Sequence, residues 1–202
     1  SNIFVHRSIL YEDQDYLITS ISENAFKSNT CIKKLLFAKN SQLKMIGPSA
    51  FQWSSIQSVI FPSSLIEISE YAFSKCDKLA KVHFPSNSNL SIIGKFAFDW
   101  SIMKKFSLPK SVTKICFSAF NQNKKMKSFF IPEDSKLEII EDSAFEYSNI
   151  ESIIIPKSVT KIREKVFRFC ENLTTVNFSD LSELNSIGEY AFANTKISEI
   201  IL

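Results

Sequence analysis

The side chains that carry most enzyme chemistry are few in this chain, and they form no recognisable motif. The two histidines, His6 and His83, have no partner at the spacing of metal ligands, and no H-E-x-x-H segment is present. The sequence also contains no C-x-x-C, no phosphate-binding P-loop and no G-x-S-x-G. Carboxylates are plentiful, but they fall at variable positions, as solvated surface residues do. We therefore predict a non-catalytic protein with no metal and no cofactor.

Composition narrows the class of partner. The formal net charge is +3, from 24 basic and 21 acidic side chains, and this is too small to indicate a nucleic-acid-binding protein. No apolar run approaches the length of a membrane helix, so we predict no membrane span in this segment. The chain begins with Ser-Asn and ends inside a pattern unit, and we interpret it as a segment of a longer protein. On this interpretation, a signal or anchor would lie outside it.

The dipeptide Ala-Phe recurs at intervals that alternate between 25 and 22 positions along the chain, with Val-Phe once in its place. The phenylalanines are Phe26, Phe51, Phe73, Phe98, Phe120, Phe145, Phe167 and Phe192. Two intervals make a super-repeat of 47 residues, and so "LPKSVTKICFSAF" (108–120) returns as "IPKSVTKIREKVF" (155–167). The single intervals of 22 and 25 residues have the length that is typical of repeats in leucine-rich-repeat solenoids.

Each unit predicts one strand and one turn. In "LAKVHFP" (79–85) apolar residues stand at 79, 82 and 84, the last two with the period of a strand, and the proline ends it. The segment Ile-x-x-x-Ala-Phe predicts a short helical or irregular turn with its apolar residues inside. One unit cannot bury both parts alone, so neighbouring units must stack.

The predicted fold is a single repeat solenoid of the α/β class over residues 1–202. We expect a right-handed leucine-rich-repeat arc, with a parallel concave β-sheet and short helical or irregular convex turns. Eight alternating units occupy residues 18–202. Residues 1–17 fit the pattern poorly and are interpreted as a degenerate N-terminal unit or a cap, because terminal repeats are often atypical.

The segments "YAFSKCDKLAKVHFP" (71–85) and "SIGEYAFANTKI" (186–197) resemble the BspA-like leucine-rich repeats, the treponemal type. The resemblance covers residues 18–202 approximately. The chain departs from the family pattern at the glycine four residues before Phe, which is present here only as Gly47, Gly94 and Gly188. These repeats are found on bacterial and protozoan surface proteins, so the resemblance implies a cell-surface or secreted protein that mediates adhesion or host interaction.

The four cysteines are predicted to be free thiols. Cys76 and Cys170 both stand three residues after a repeated Phe, where a small buried residue at a turn is expected. They are four units apart, or about 19 Å by strand spacing, whereas a disulfide needs Cα atoms within about 7 Å. Free thiols argue mildly against an oxidising compartment. Three glycosylation sequons, at Asn89, Asn172 and Asn177, are compatible with secretion.

Two columns of residues are predicted to face outward from the strands, on the concave side. The first column is Leu36, Ile60, His83, Ser107, Phe130, Ile154, Asn177 and Ile201. The second is Lys34, Ser58, Lys81, Lys105, Ser128, Ser152, Thr175 and Glu199. Large apolar residues fill most of the first column, which indicates an adhesive groove for a protein or peptide, with Phe130 and Ile154 as anchors. Ordinary β-propensity explains the same pattern equally well.

Two further features could contact a partner. Trp53, Trp100 and Tyr147 each follow a repeated Phe by two residues, and either stack at the turn or contact a partner or glycan. Seven lysines without an intervening acid suggest either a solvated surface or an anionic partner such as a sulfated glycan. They are Lys104, Lys105, Lys110, Lys114, Lys124, Lys125 and Lys127.

The sequence thus predicts a non-catalytic protein-binding scaffold from a surface adhesin, with a partner on the host surface or matrix. The alternatives are an anionic-glycan binder and a structural or self-assembling segment. The terminal segment "ISEIIL" (197–202) could pair with another copy end to end, although a monomer is expected.

Overall fold

The computed structural model describes residues 1–180 and 182–198 as a stack of short parallel strands. One ladder contains the longer strands, which we call the long strands. They are β1 (Asn2–Val5), β5 (Lys34–Phe37), β7 (Ser58–Ile60), β9 (Lys81–His83), β11 (Lys105–Ser107), β13 (Ser128–Phe130), β15 (Ser152–Ile155) and β17 (Thr175–Phe178). They form two four-stranded parallel sheets, in the orders β1-β5-β7-β9 and β11-β13-β15-β17.

A second parallel ladder runs along another side of the stack and consists of two-residue strands. These are β4 (Ser20–Ile21), β6 (Met45–Ile46), β8 (Glu67–Ile68), β10 (Ile92–Ile93), β12 (Lys114–Ile115), β14 (Ile139–Ile140), β16 (Lys161–Ile162) and β18 (Ser186–Ile187). They form one continuous eight-stranded sheet in sequence order. The isoleucine that precedes each Ala-Phe or Val-Phe ends one of these strands, and most of these isoleucines are buried.

The predicted α/β class and helical turns are not observed. Residues 1–180 and 182–198 contain no helix, and the turns around the repeated Phe are irregular. The residues two before and two after each Phe have positive φ, for example Ser49 (53°) and Trp53 (61°) around Phe51. The Phe51 N–H donates to the carbonyl of Ala72 in the next turn at 2.8 Å. A helix needs right-handed φ throughout and N–H groups bonded four residues back, so this backbone cannot be helical.

The core is a column of stacked phenylalanine rings between the two ladders. Phe73, Phe98 and Phe120 are fully buried, and the ring centroids of Phe98 lie 5.4 Å and 5.5 Å from those of the other two. Stacking continues from Phe26 to Phe192 at the same positions. Each ring is therefore buried by the turns on either side of it, as expected for a solenoid whose repeats contact only their neighbours.

The first seventeen residues contain a strand of the ladder and an inserted hairpin. Strand β1 pairs in parallel with β5, with Phe4 opposite Leu36. Between β1 and β4 the chain forms an antiparallel hairpin of β2 (Ser8–Tyr11) and β3 (Gln14–Leu17). Glu12 and Asp13 at its tip both have positive φ, as in two-residue turns that match the twist of a hairpin. Residues 2–5 thus join the stack, while residues 8–17 project from it.

Candidate binding surface

The outward side of the long strands, which we call the strand face, carries the fourteen residues predicted as a binding site within the described chain. Most of them are exposed, and Leu36 and Ser58 are half-buried. Strand pairing in the first sheet aligns Lys34, Ser58 and Lys81. Strand pairing in the second sheet aligns Lys105, Ser128, Ser152 and Thr175. The predicted members Glu199 and Ile201 lie outside the described residues.

Side chains alternate between the core and the strand face along these strands. Ile60, Phe130 and Ile154 are 51%, 57% and 56% exposed. The residues immediately before them, Val59, Phe129 and Ile153, are buried. The prediction of a two-residue period is therefore correct for these strands. Val82 departs from it, because the alternation would direct this side chain to the core and it is only half-buried.

The departure at Val82 coincides with a break in the strand face. Among the described residues, β9 pairs with β7 but not with β11. Phe84 and Phe106 contact each other edge to face at the break, with ring centroids 5.8 Å apart. Phe84 also stacks on Phe61, with ring centroids 4.9 Å apart, and Phe106 stacks on Phe129 at 5.3 Å, so the ring column continues across the break although the strands do not pair. The short-strand ladder remains paired at the same level, through β8, β10 and β12.

The break divides the predicted apolar column into two patches. One patch contains Phe4, Leu36 and Ile60, and the other contains Phe130 and Ile154. His83 and Ser107 lie between them, so the stripe expected from the sequence is not contiguous. Phe4 was not among the predicted site residues, although it is 50% exposed and extends the column by one strand. The alternation of "NIFV" (2–5) was the available signal for it.

Lysines border the apolar patches. Lys34, Lys81 and Lys105 are exposed at the second column, and none of them forms an ion pair in residues 1–180 and 182–198. The strand face therefore combines exposed apolar residues with positive charge.

The seven-lysine cluster is partly neutralised by the following turn. Lys110 contacts Asp134 at 3.0 Å, Lys114 contacts Glu141 at 2.7 Å, and Lys127 contacts Glu151 at 2.8 Å. The hydrogen bond from Lys114 to Glu141 raises the pKa of this lysine above its ordinary value. Three of the seven ammonium groups thus already have a carboxylate partner.

Trp53, Trp100 and Tyr147 line a different edge, at the turns around the repeated Phe. All three are exposed and have positive φ. Tyr147 stacks on Phe169 with ring centroids 4.7 Å apart, which agrees with stacking at the turn. The two indole rings instead have lysine ammonium groups above them, Lys75 on Trp53 and Lys124 on Trp100.

All four cysteines are free in the structure. Cys76 and Cys170 are buried at a turn, as predicted, and their Sγ atoms donate to the carbonyls of Phe51 and Phe145 at 3.0 Å and 3.1 Å. Burial raises the pKa of each of these thiols to about 12. Both are therefore protonated and unreactive near neutral pH.

Residues 1–180 and 182–198 contain no group of three His, Cys, Asp or Glu side chains that could hold a metal ion. The same residues include no helix able to cross a bilayer.

Parallel ladders that repeat once per turn around a stacked Phe column define a leucine-rich-repeat solenoid. A family model described as "BspA type Leucine rich repeat region" matches residues 2–99 and 91–202, in six copies. The chain belongs to this family. No curated protein sequence matches the chain at a significant level.

Several solved structures share the fold. A leucine-rich repeat protein from Bacteroides ovatus is 25% identical with a TM-score of 0.83, over 99% of this chain and 51% of that one. The pneumococcal vaccine antigen PcpA is 25% identical with a TM-score of 0.60, over 100% of this chain and 60% of that one. The leucine-rich repeat protein of T. pallidum is 22% identical with a TM-score of 0.57, over 86% of this chain and 68% of that one. The chain thus spans less than two thirds of the length of the first two proteins.

Proposed function

We propose that the chain is a non-catalytic protein-binding scaffold within a cell-surface or secreted adhesin, and that it binds its partner on the strand face. The observation that supports this most directly is the exposure of large apolar side chains on that face. Phe130 and Ile154 are both more than half exposed. Exposed apolar residues grouped on one face indicate an interaction site more strongly than scattered ones.

The two anchors lie on neighbouring strands. Ser128 of β13 is paired with Ser152 of β15, and Phe130 and Ile154 each stand two residues further along these neighbouring strands. Parallel strands lie about 4.8 Å apart, so we expect the two side chains to form one apolar surface. Ser107 and Asn177 extend the row on either side with polar groups. An apolar centre with a polar surround is the usual composition of a protein-binding site.

The charge at this face favours a partner with acidic groups. Lys105 stands next to the Phe130–Ile154 patch, and Lys34 and Lys81 border the other patch. Exposed charges of one sign increase the association rate with a partner of opposite charge more than they increase affinity. We expect a protein or peptide on a host surface or in the matrix, bound by a monomer of this chain.

The family and its relatives support the location. BspA-type repeats match nearly all of the chain, and one structure with the same fold is described as a pneumococcal vaccine antigen. That description agrees with a location at a cell surface.

The two alternative functions have less support. Binding of an anionic glycan through the seven-lysine cluster is disfavoured because Lys110, Lys114 and Lys127 already pair with carboxylates. End-to-end self-assembly would use "ISEIIL" (197–202), most of which lies outside the described residues.

The test is adhesion of folded variants to cultured epithelial cells and to immobilised matrix proteins. Phe130→Ala and Ile154→Ala should each weaken binding by more than about 1 kcal/mol, the usual threshold for an anchor. Ile66→Ala is the matched control, because Ile66 is an exposed isoleucine outside the strand face. Equal adhesion of all three variants and the unmodified chain would exclude the strand face as the binding site.

A further inference from the structure

Both tryptophans of the chain line one cleft at the turn edge. The cleft has a volume of about 450 Å³ and is bounded by Trp53, Ser55, Lys75, Asp77, Lys78 and Trp100. Trp53 and Trp100 belong to alternate turns, and Lys75 occupies the equivalent position in the turn between them. Two strand spacings separate the indoles along the stack by about 10 Å. A cleft of this size and width accommodates a small ring-shaped ligand.

Both tryptophans expose a large aromatic surface at a turn position where φ is positive. Trp53 and Trp100 are 53% and 48% exposed, and their φ angles are 61° and 56°. Positive φ is uncommon for a bulky residue and favours Asn, which stands at the equivalent Asn194. Positive φ recurs two residues after every repeated Phe and belongs to the fold, whereas the exposed aromatic surface of two indoles on one cleft indicates a role in binding.

The charges around the cleft select the chemistry of its ligand. The Lys75 ammonium lies 4.5 Å from the Trp53 ring centroid, and the Lys124 ammonium lies 5.7 Å from that of Trp100. Lys78 Nζ is 3.5 Å from the hydroxyl of Ser55. Three ammonium groups therefore surround the indoles, and among the described residues Asp77 is the one carboxylate that lines the cleft. None of the three lysines forms an ion pair with a described residue.

We propose that this cleft binds a negatively charged sugar residue of a glycan. The apolar C–H face of a sugar ring would lie against an indole, which offers a large and rigid aromatic surface. The acidic group would accept charge-assisted hydrogen bonds from Lys75 and Lys78. Asp77 and Ser55 would accept hydrogen bonds from the ring hydroxyls.

An acidic sugar fits these groups better than a nucleotide does. Aromatic side chains and lysines also bind nucleotides, by stacking on the base and contacting the phosphate. Asp77 repels both anions, but a phosphate carries almost two negative charges near neutral pH and a sugar carboxylate only one, so the repulsion is weaker for the acidic sugar. The cleft lies at the turn edge, so its ligand is independent of any partner bound to the strand face.

Tryptophan fluorescence gives a direct test, because the chain contains only these 2 tryptophans. The probes are glucuronic acid and N-acetylneuraminic acid, compared with the neutral sugars glucose and N-acetylglucosamine and with AMP. The acidic sugars should give a saturable change that weakens as salt is added. Lys78→Ala should reduce their association constant by at least about tenfold, as expected for a lost charge-assisted hydrogen bond. Trp53→Phe retains Trp100 as the reporter and should weaken binding less than Lys78→Ala.

Lys136→Ala is the matched control, because Lys136 is exposed and remote from the cleft. Circular dichroism verifies that every variant is folded. The proposal is overturned if acidic and neutral sugars bind equally, if only AMP gives a saturable change, or if no probe does. It is also overturned if Lys136→Ala weakens binding as much as Lys78→Ala.

Discussion

The side chain of Asn123 joins two turns of the solenoid through a buried hydrogen bond with Ser101. The Asn123 Oδ1 atom accepts from the backbone N–H of Ser101 at 2.8 Å and also from its hydroxyl. The Asn123 Nδ2 group donates to the carbonyls of Phe98 and Phe120, both at 3.0 Å. Both residues are buried, and every polar group of the amide has a hydrogen-bond partner within the protein.

Replacing Asn123 should therefore be costly, and the cost should depend on the new side chain. Asn123→Ala leaves Ser101 and two carbonyls without a partner and should lower the free energy of unfolding by at least about 2 kcal/mol. Asn123→Cys should cost less, because Cys76 occupies the equivalent position beside Ser54 and donates to the carbonyl of Phe51. Urea denaturation measures both variants. A Cys variant no more stable than the Ala variant would contradict this explanation.

The sequence revealed this position but not its partner. Asn123 stands three residues after a repeated Phe, as Cys76 and Cys170 do, and the sequence predicts a small buried residue at this position. It did not reveal that Ser54, Ser101 and Ser148 stand one turn earlier as partners, because hydrogen bonds between turns depend on side-chain geometry. All three serines precede their partners by the same interval in the sequence, and that regularity was the available signal.

Asp99 should make stability depend on pH. It is buried, its Oδ1 atom has no hydrogen-bond partner among the described residues, and burial raises its pKa to about 6. The unfolded carboxyl titrates near 3.8, so the folded state binds more protons between the two values. Stability should accordingly fall as pH rises from about 4 to 6.

Asp99→Asn should remove most of this dependence and stabilise the protein at pH 7 more than at pH 4. Thermal unfolding midpoints at several pH values measure the effect. Asp134→Asn is the control, because Asp134 is exposed and pairs with Lys110 at the surface. The same pH profile for the unmodified chain and Asp99→Asn would show that Asp99 is not the titrating group.

The break in the strand face should be visible in amide hydrogen exchange. Phe61 N–H donates to the carbonyl of His83 and Lys127 N–H to that of Lys104, both at 2.9 Å. The equivalent groups at the break, Phe84 N–H and Lys104 N–H, form no backbone hydrogen bond with described residues. We expect the amides of Phe84 and Lys104 to exchange faster than those of Phe61 and Lys127, because exchange of a bonded amide requires its hydrogen bond to open. Equal protection of both pairs would mean that the strands are joined in solution.

The turns were the part of the fold that the sequence could not predict. Ile-x-x-x-Ala-Phe has a spacing compatible with a helix, and no glycine marks the residues with positive φ. Lys75, Phe96 and Trp100 adopt that conformation although their side chains disfavour it. Hydrogen bonds to the next turn impose it, and these are set by stacking rather than by local preference. The long strands were easier to predict, because a two-residue period is visible in the sequence itself.

The adjacent residues Phe129 and Phe130 give the sharpest comparison of core and surface. Phe129 is 3% exposed, and its ring lies edge to face with that of Phe145 at 4.6 Å, whereas Phe130 is 57% exposed. Phe129→Ala should lower the free energy of unfolding by about 3–5 kcal/mol, because it empties a buried aromatic site. Phe130→Ala should change it by less than about 1 kcal/mol, as exposed positions usually do. Chemical denaturation measures both changes, and adhesion to epithelial cells then tests Phe130→Ala as a folded protein. If Phe130→Ala destabilised the chain as much as Phe129→Ala, the strand alternation on which the proposed site depends would be wrong.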